Sequence, residues 1–536
     1  MGEIDVRSVV YTVPMFRYAI LIIFGIVIGD ACCEVVDVRI WLFVLTLLVV
    51  VSILIDKRHP VVSSVMLLAS VGMVGAFRVG IAKVGEYELS KQIDGSICEM
   101  AVVSEPITHG KVVQFDGLVY DSKDDRNLPG RKIRVSVLRD TITGCYRKIH
   151  IGDALQANID LSPLKDWYRQ NPHFDYLRWL RIRGFCGRGF IGIGKWKRLE
   201  LKCEAIGILE MLKLQVLVFR QKVLEKIEAS GVSEEAYAVA TAMALGNKSA
   251  LTPKLHEEYN IVGASHALAL SGVHLSIIYI ILSSLFGGRR LWNRLLVLAL
   301  VWLYVVFTGL SISILRAAVM LTVWGVLKIV ARRQKALNVL GFTACLMAMV
   351  NPRCVFDVGF QMSFAAVFAI VCLMEPFREI MPKRIAYKNK KEQGKMTKKE
   401  KIATWLLRKG WFVMTVSLSA QIGTLPLSIY YFGRIPLLFL LTNLVIIPSV
   451  LIVVWITLAM ALLLAIDIAA GFNGGIVSFA LGRLLSGVVW VVQRILEIIA
   501  QLPCASIEGV HVNGIQVVAM YAIVVALVIY VNRRRF

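Results

Sequence analysis

The sequence predicts a polytopic α-helical membrane protein with a small β-barrel inserted after its first spans. Three observations carry that reading. The chain is 57% hydrophobic with a mean hydropathy of +0.68, too apolar for a surface that faces only water. Apolar windows recur at the length that crosses a bilayer core of about 30 Å as helix. One stretch, from Ile97 to Gly194, instead shows short β-branched or alternating runs between turn clusters.

Residues 1–85 read as N-terminal transmembrane helices, with apolar windows at Phe16–Ile28, Ile40–Ile55 and Val61–Ala82. A signal peptide can begin this way, but acidic residues in the leading segment and two closely following spans favour a retained anchor. Gly25 and Gly29 form a GxxxG, a pattern that permits close helix packing and that also arises by chance in Gly-rich spans.

Residues 95–195 read as an OB-fold-like domain. The runs Ile97–Val103, Val112–Tyr120, Lys132–Val137 and Ala154–Leu161 alternate with turns such as Pro129-Gly130 and Gly152-Asp153, and about five short strands suit a small barrel. The region closes on WYRQNPHFDYLRWLRIRGFCGRGFIG, where Trp167, Tyr168, Arg169, Arg178, Trp179, Arg181 and Arg183 interleave rings with cations. Stacking rings beside phosphate-neutralising cations suit a single nucleic-acid strand. The same composition suits a helix lying at a membrane interface, and both readings stand. The ten cysteines show neither CxxC nor Cys/His zinc spacing, so no metal site is expected. If the barrel faces outward, a disulfide is possible, for example between Cys98 and Cys145.

Residues 203–230 form an amphipathic connecting helix, and 232–531 hold the remaining spans. That last region opens on a helix-prone run, Ala236 to Leu245, breaks at Gly246-Asn247 and restarts after Thr252-Pro253. Apolar windows follow at Ile261–Phe286, Leu291–Leu310, Ile312–Val330, Ala336–Val350, Phe360–Leu373, Trp411–Tyr431, Ile435–Ile466, Gly474–Leu502 and Gly514–Val531, with a Lys-rich loop at Pro382–Gly410.

Polar side chains at membrane depth are costly and mark pathways or sites. The first group is His266, Ser271, Gly272 and His274. Its histidines would lie about 80° apart on one ideal helix. It reads as a metal pair, a Ser/His nucleophile, a polar pore lining, or two interior histidines bonded to carbonyls of a broken helix. The second is Arg316, inside the apolar run TGLSISILRAAVM. The third is NPRCVFDVGFQMSFAAV, where Asp357 and Gln361 stand one helical turn apart. Asp357 can pair with Arg316 or simply cap a helix start. The fourth is SAQIGTLPLSIYYFGRIPLLFLLTNLVIIP, in which Asn443 is polar at depth and Pro426, Pro436 and Pro448 are expected to break helices.

The net charge of +23, from 60 Lys and Arg against 37 Asp and Glu, fits both the positive-inside bias of membrane proteins and attraction to a polyanion. With the N-terminus inside, the cations of Arg289-Arg290 to Arg294, Ala331–Lys335, Pro382–Gly410 and Asn532–Arg535 all fall on the cytoplasmic side. That places the barrel outside. No Walker-type GxxxxGK[ST] occurs.

The stretch ALGNKSALTPKLHEEYNIVGASHALALSGVHLSII resembles the core motif of the ComEC family, the inner-membrane competence proteins that pass single-stranded DNA into bacteria. The Gly-x-Ser-x-x-Arg-Ala pattern at Arg316, the Pro–Asp–Gly-Phe-Gln-x-Ser-Phe pattern at Asp357 and the Thr-x-Pro segment before Asn443 follow in the family's order. The NPHFDY of the barrel tail resembles its NPG-FDY motif, with His173 where Gly is expected. The resemblance implies a competence-type channel over 232–531, with His266, Ser271, Gly272, His274, Arg316, Asp357, Gln361 and Asn443 lining or gating it. It further implies single-stranded DNA as substrate, a DNA receptor and a cytoplasmic motor as partners, a bacterial cytoplasmic membrane location with a cytoplasmic C-terminus, and no cofactor. Many members carry a C-terminal metallo-β-lactamase-like domain, whose HxHxDH cluster this sequence lacks. The expectation is therefore a variant without that hydrolase, not itself an enzyme, leaving room for a separate nuclease. The rival readings are a transporter of another polyanion, an intramembrane hydrolase or metalloenzyme built on His266, Ser271 and His274, and a paralogue kept for structure alone.

Overall fold

The computed structural model describes residues 13–32, 36–141, 144–164, 175–199, 207–286, 290–329, 335–380, 397–471, 475–502 and 505–533. Three apolar helices come first, α1 (Pro14–Cys32), α2 (Val38–Ile55) and α3 (Pro60–Val84). Asp37 caps α2 and Pro60 opens α3. The GxxxG of α1 is a packing seam. A Cβ on Gly25 would lie 1.8 Å from the Gly72 carbonyl oxygen, and one on Gly29 would lie 2.6 Å from Ala76 Cα. Only glycine lets these backbones approach so closely.

The barrel follows. β1 (Ile93–Val102), β3 (Val112–Ser122), β4 (Lys132–Leu138), β5 (Ala154–Ser162) and β6 (Phe185–Ile191) close in the order β1-β3-β4-β6-β5-β1. Every pairing is antiparallel except β4–β6, which is parallel. β2 (Ile107–His109) and β7 (Trp196–Leu199) extend the sheet at β3 and β5. Alternation sends Phe115, Ile133, Val135, Leu155 and Ile159 into one core. The aromatic stretch expected to trail the barrel is in part the barrel. Tyr176–Ile182 forms a short helix, α4, and β6 then closes the sheet. Trp167, Tyr168 and Arg169 lie outside the described residues.

The suggested Cys98–Cys145 bridge is absent. Strand alternation buries Cys98 inside the barrel, its thiol 3.6 Å from Ser122 Oγ, while Cys145 is exposed on a surface 3-10 turn. Burial also pushes the Cys98 thiol up from its ordinary pKa, away from the reactive thiolate. A thiol-reactive maleimide added to folded, unreduced protein is expected to leave Cys98 unmodified and to label it fully after denaturation. Peptide mass spectrometry checks this, and a Cys98 peptide bridged to another cysteine would refute it.

Beyond the barrel come α5 (Ile208–Ala229), α6 (Glu234–Leu245), α7 (Pro253–Ile261), the four-residue α8 (Ser265–Leu268), α9 (Gly272–Phe286), α10 (Leu291–Phe307), α11 (Ile312–Ile329), α12 (Ala336–Val350), α13 (Val358–Glu379), α14 (Lys398–Phe432), α15 (Phe439–Ala470), α16 (Gly475–Ala500) and α17 (Gly514–Arg533). Among the described residues eight helices are long and apolar enough to cross a membrane, α1–α3 and α13–α17, and α9–α12 are shorter apolar helices. This is a multi-pass membrane protein. α5 and α6 form a hairpin whose Ser230-Gly231 turn packs on Phe479 and Gly482 of α16. Their inner faces join α7, α8, α15 and α16 in the largest apolar core. The loop expected through Gly410 is shorter, because the Thr397–Glu400 capping box starts α14 at Lys398.

Two expected helix breaks do not occur. Pro426 and Pro448 lie inside continuous helices, α14 and α15. Each proline removes one backbone donor, and neighbouring groups take up carbonyls nearby. Tyr521 Oη donates to the Gly423 carbonyl at 3.0 Å and Ser449 Oγ to that of Val445 at 2.7 Å. Pro436 does fall between helices, on a two-stranded ribbon of β8 (Arg434–Pro436) and β9 (Ser506–Glu508).

Candidate functional site

The chain turns back on itself at the barrel end of α11. Gly309 has φ +84°, and Leu310, at +54°, is the one described non-glycine residue with positive φ. A non-glycine residue there is strained and needs its surroundings to hold it. The turn delivers Arg316 into the protein interior, where it is 3% exposed. Its Nη1 lies 3.7 Å from Asp357 Oδ1. Asp357 also accepts the Phe360 N–H at 2.9 Å, capping α13. The sequence left capping and pairing as alternatives; the carboxylate does both.

Gly359 is what lets the guanidinium reach the cap. A Cβ there would sit 3.0 Å from Asp357 Oδ1 and 3.4 Å from Arg316 Nη2. Gln361, one turn on, is a rivet. Its Nε2 donates to the Val355 carbonyl at 3.1 Å, and its Oε1 accepts from Tyr431 Oη of α14 at 2.9 Å. Sequence reading passed over Gly359 and Tyr431, although both lie inside the motifs it quoted.

The histidine group sits beside this pair and not on a single helix. The backbone leaves the helical course after α8 and restarts at Gly272, whose Cβ would stand 3.4 Å from Ala317 Cβ, next to Arg316. His274 is 1% exposed. Its Nδ1 accepts the Ser271 backbone N–H at 3.0 Å and lies 2.9 Å from Ser271 Oγ. Accepting at Nδ1 puts the proton of a neutral ring on Nε2, and that buried nitrogen has no partner among the described residues. His266 Nδ1 lies 3.1 Å from the Gly263 carbonyl. The His266 side chain is exposed. Ser311 Oγ, Arg316 Nε and Asn443 Oδ1 are likewise buried and unpartnered among the described residues. Among the described residues Asn443, on α15, is hydrogen-bonded to neither group.

The barrel is docked at this end of the bundle by α4. Arg178 pairs with Asp30 at the end of α1, and its guanidinium stands 3.5 Å from the centre of the Phe356 ring. Arg181 pairs with Glu88, Arg353 with Glu86, and Asn351 Nδ2 donates to the Ile182 carbonyl. Arg178 thus latches the barrel to α1, and Arg181 ties α4 to the segment that leads into the barrel. Arg183 differs: it lies 3.8 Å above Trp179, which stacks on Tyr176 at 5.5 Å, and among the described residues no carboxylate is within ion-pair distance of it.

A family model described as "Competence protein" matches residues 243–534, more than half of the 536-residue chain. The chain belongs to the competence protein family. It is similar to ComE operon protein 3 of Bacillus subtilis (strain 168), at 26% identity over 244 residues, 45% of this chain and 28% of that protein. It is also similar to an uncharacterized protein of Aquifex aeolicus (strain VF5), at 28% identity over 225 residues, 42% of this chain and 47% of that one. Each alignment spans less than half of the relative's length. No solved structure matches.

The competence match takes in the histidine group, Arg316, Asp357, Gln361 and Asn443, and stops short of the barrel. It begins on the last turn of α6, where the barrel is bolted to the membrane domain. There Arg220 of α5 donates to the Leu245 carbonyl at 3.3 Å and to Glu105 of the barrel at 3.4 Å. Neither residue stood out in the sequence, because an amphipathic helix carries many cations and the pairing spans |i−j| of 115. For this competence protein the family match covers the membrane core, and the barrel adds a second body fixed at its polar end.

Proposed function

We propose that this chain conducts single-stranded DNA across the bacterial cytoplasmic membrane during DNA uptake in competence. The observation that carries the reading is the buried Arg316–Asp357 pair, set beside the histidine group inside the competence-family stretch and beneath the docked barrel. A cation at depth with one N–H unpartnered can meet phosphate, and a carboxylate in reserve neutralises it between phosphates. The barrel is OB-fold-like and faces outward, as the cytoplasmic weighting of the short basic loops implies. The DNA receptor, the cytoplasmic motor and any separate nuclease belong to this same reading.

The hydrolase alternative draws on the 2.9 Å Ser271–His274 contact. It is weaker, because His274 Nδ1 is shared with the Ser271 backbone N–H and no described carboxylate orients the ring. Among the described residues no three His, Cys, Asp or Glu side chains gather as a metal would need. The histidine group is therefore read as part of the conduit. A transporter of another polyanion shares the electrostatics, and the test separates the two. Cells lacking this protein are expected to take up no labelled DNA into a nuclease-protected cytoplasmic pool, and the wild-type chain is expected to restore it. Undiminished uptake in its absence would remove DNA as the cargo.

A further inference from the structure

The end of the barrel that meets α5 gathers cations. The end of β1, the start of β3, the end of β4 and the start of β5 lie on that side, and from it Glu105 and Gly152 touch α5. Beyond the paired ends of β3 and β4, the Arg139 N–H donates to the Lys111 carbonyl at 3.0 Å. The strand pair therefore runs one step further and sets Lys111 opposite Arg139. The turn after β4 is equally fixed. Gly144, φ +64°, starts the 3-10 turn Cys145–Lys148, and the Ile149 N–H closes it on the Tyr146 carbonyl at 3.3 Å. The Ile149 side chain is then buried in the barrel core.

Two guanidinium groups converge on one phenol in this turn. Tyr146 Oη accepts from Arg139 Nη2 at 3.0 Å and from Arg147 Nε at 3.4 Å. Those two nitrogens are thus no further apart than the two distances laid end to end. Arg139 is anchored besides, because its Nη1 donates to the Gly110 carbonyl at 2.8 Å. The phenol oxygen is neutral, so it orders the two cations without balancing them. Among the described residues no carboxylate lies within ion-pair distance of Arg139, Arg147, Lys111 or Lys148. The hydrogen bonds from Arg147 and Arg139 pull the Tyr146 phenol below its ordinary pKa, as gathered positive charge does. Arg147, Lys111 and Lys148 are exposed, and Arg139 and Tyr146 are half-buried. Each guanidinium has five N–H donors. Arg147 spends one of them inside the protein and Arg139 two, so both keep donors for an oxyanion.

We propose that Arg139 and Arg147, held together by Tyr146, form a fork on the bundle-facing end of the barrel that takes one phosphodiester group of the incoming single strand. The fork rests on the DNA-conduction reading above. A phosphate set between the two guanidinium groups receives charge-assisted N–H···O bonds from both and supplies the counter-charge they lack. Lys111 and Lys148 extend the positive field around it. A phospholipid headgroup offers the same phosphodiester, and the surface argues for the strand. Among the described residues from Glu105 to Asp153 no large apolar side chain is exposed, so nothing here reaches for acyl chains. Cations set around an aromatic ring suit a single strand.

The test is the salt dependence of binding. Fluorescence anisotropy of a dye-labelled oligothymidylate on the full chain in detergent gives log K against log salt between about 50 and 200 mM. Each neutralised phosphate contributes about 0.7 to that slope for a single strand. The double variant Arg139→Gln/Arg147→Gln is expected to shallow the slope by about 0.7, the share of one phosphate. A loss of about 1.4 would mean two separate phosphates and overturn the fork. Arg147→Gln alone should weaken binding about tenfold, as the loss of a charge-assisted bond does; Arg147 is exposed, so this variant reads binding and not folding. Arg147→Lys should keep the wild-type slope. Tyr146→Phe should keep it too while weakening binding about threefold, since both charges remain and the link between them is gone. Arg494→Gln, remote on α16, should change nothing. Wild-type slope and affinity in the double variant would overturn the fork while leaving DNA conduction to the uptake experiment. A wild-type chain that binds no oligomer would overturn the fork as well, and uptake would again judge the conduction reading separately. Native mass spectrometry of retained phosphatidylglycerol distinguishes the two sources of phosphodiester. Loss of that lipid in the double variant with the oligomer slope unchanged would assign the fork to a headgroup and overturn the strand site.

Discussion

Asp357→Ala is expected to destabilise the membrane domain by about 3–5 kcal/mol, because it leaves the buried Arg316 guanidinium without counter-charge. The same change strips the α13 cap, a further cost of about 1 kcal/mol. Asp357→Asn separates the two effects, since it keeps a capping oxygen and removes the charge. In the double variant Arg316→Ala/Asp357→Ala no unpaired charge remains, so it should be more stable than Asp357→Ala alone. Thermal unfolding of detergent-purified protein, read by intrinsic fluorescence, measures all three. If Asp357→Ala melts with the wild type, the pair is not a structural element of the fold. Uptake gives the complementary readout: Arg316→Ala that inserts normally should fail to restore DNA import. Import that survives in it would remove Arg316 from the conducting path.

Gly25→Val is expected to prevent α1 from docking on α3. Its Cβ would have to occupy a point 1.8 Å from the Gly72 carbonyl oxygen, and neither backbone can yield without parting the helices along the seam. Overpacking an ordinary core costs about 1–3 kcal/mol; backbone against backbone leaves no side chain to rotate aside, so the cost lies above that range. A cysteine pair placed across α1 and α3 should crosslink in the wild type and not in Gly25→Val. Gly487→Ala is the control. Nothing lies within 4 Å of its Cβ position in α16, and it should stabilise by about 0.5–1 kcal/mol through helix propensity alone. Unimpaired crosslinking in Gly25→Val would show that the seam is not formed.

The parts of this fold legible in the sequence are those governed by short-range patterns. The apolar windows reappear as helices because backbone satisfaction in lipid leaves few alternatives. Runs such as Lys132–Val137 reappear as strands because alternation fixes which face is buried. β6 was hidden because Gly187 and Gly189 carry no side chain to alternate; at Gly189 a Cβ would fall 2.1 Å from Ile159 Cδ1. The broken helix offered for the histidine group was legible in the small and polar residues between His266 and His274: the chain leaves the helical course after Leu268 and restarts at Gly272, and the Ser271 backbone N–H goes to His274. The prolines misled in the opposite direction, since a long membrane helix tolerates one missing backbone donor without breaking. In the site, Arg316 and Asp357 were legible because two lone opposite charges in apolar runs need each other. The separation of Arg178 and Arg181 from Arg183 was not, because their partners, Asp30 and Glu88, lie in distant segments. Which cations are held in ion pairs is decided by such remote carboxylates.

The seam of α1 also bears on how the chain is built. The opposite face of α1 meets α12: the Met15 N–H reaches Asn338 Oδ1, 323 residues later, and a Cβ on Gly341 would collide with the Phe16 backbone. Ala19, Ile22 and Ile26 share an apolar cluster with Ala344, Ala348 and Phe360. At about 5–20 residues per second, the ribosome needs on the order of 15–60 s to supply that partner. Through that interval α1 and α3 wait in the bilayer as a prefabricated pair, zipped by glycine and lidded by lipid. Docking of α12 on α1 is therefore an event of later synthesis, set by when the region around Gly341 inserts and displaces the lipid from the face that α1 has kept in reserve, with α13–α17 still to follow.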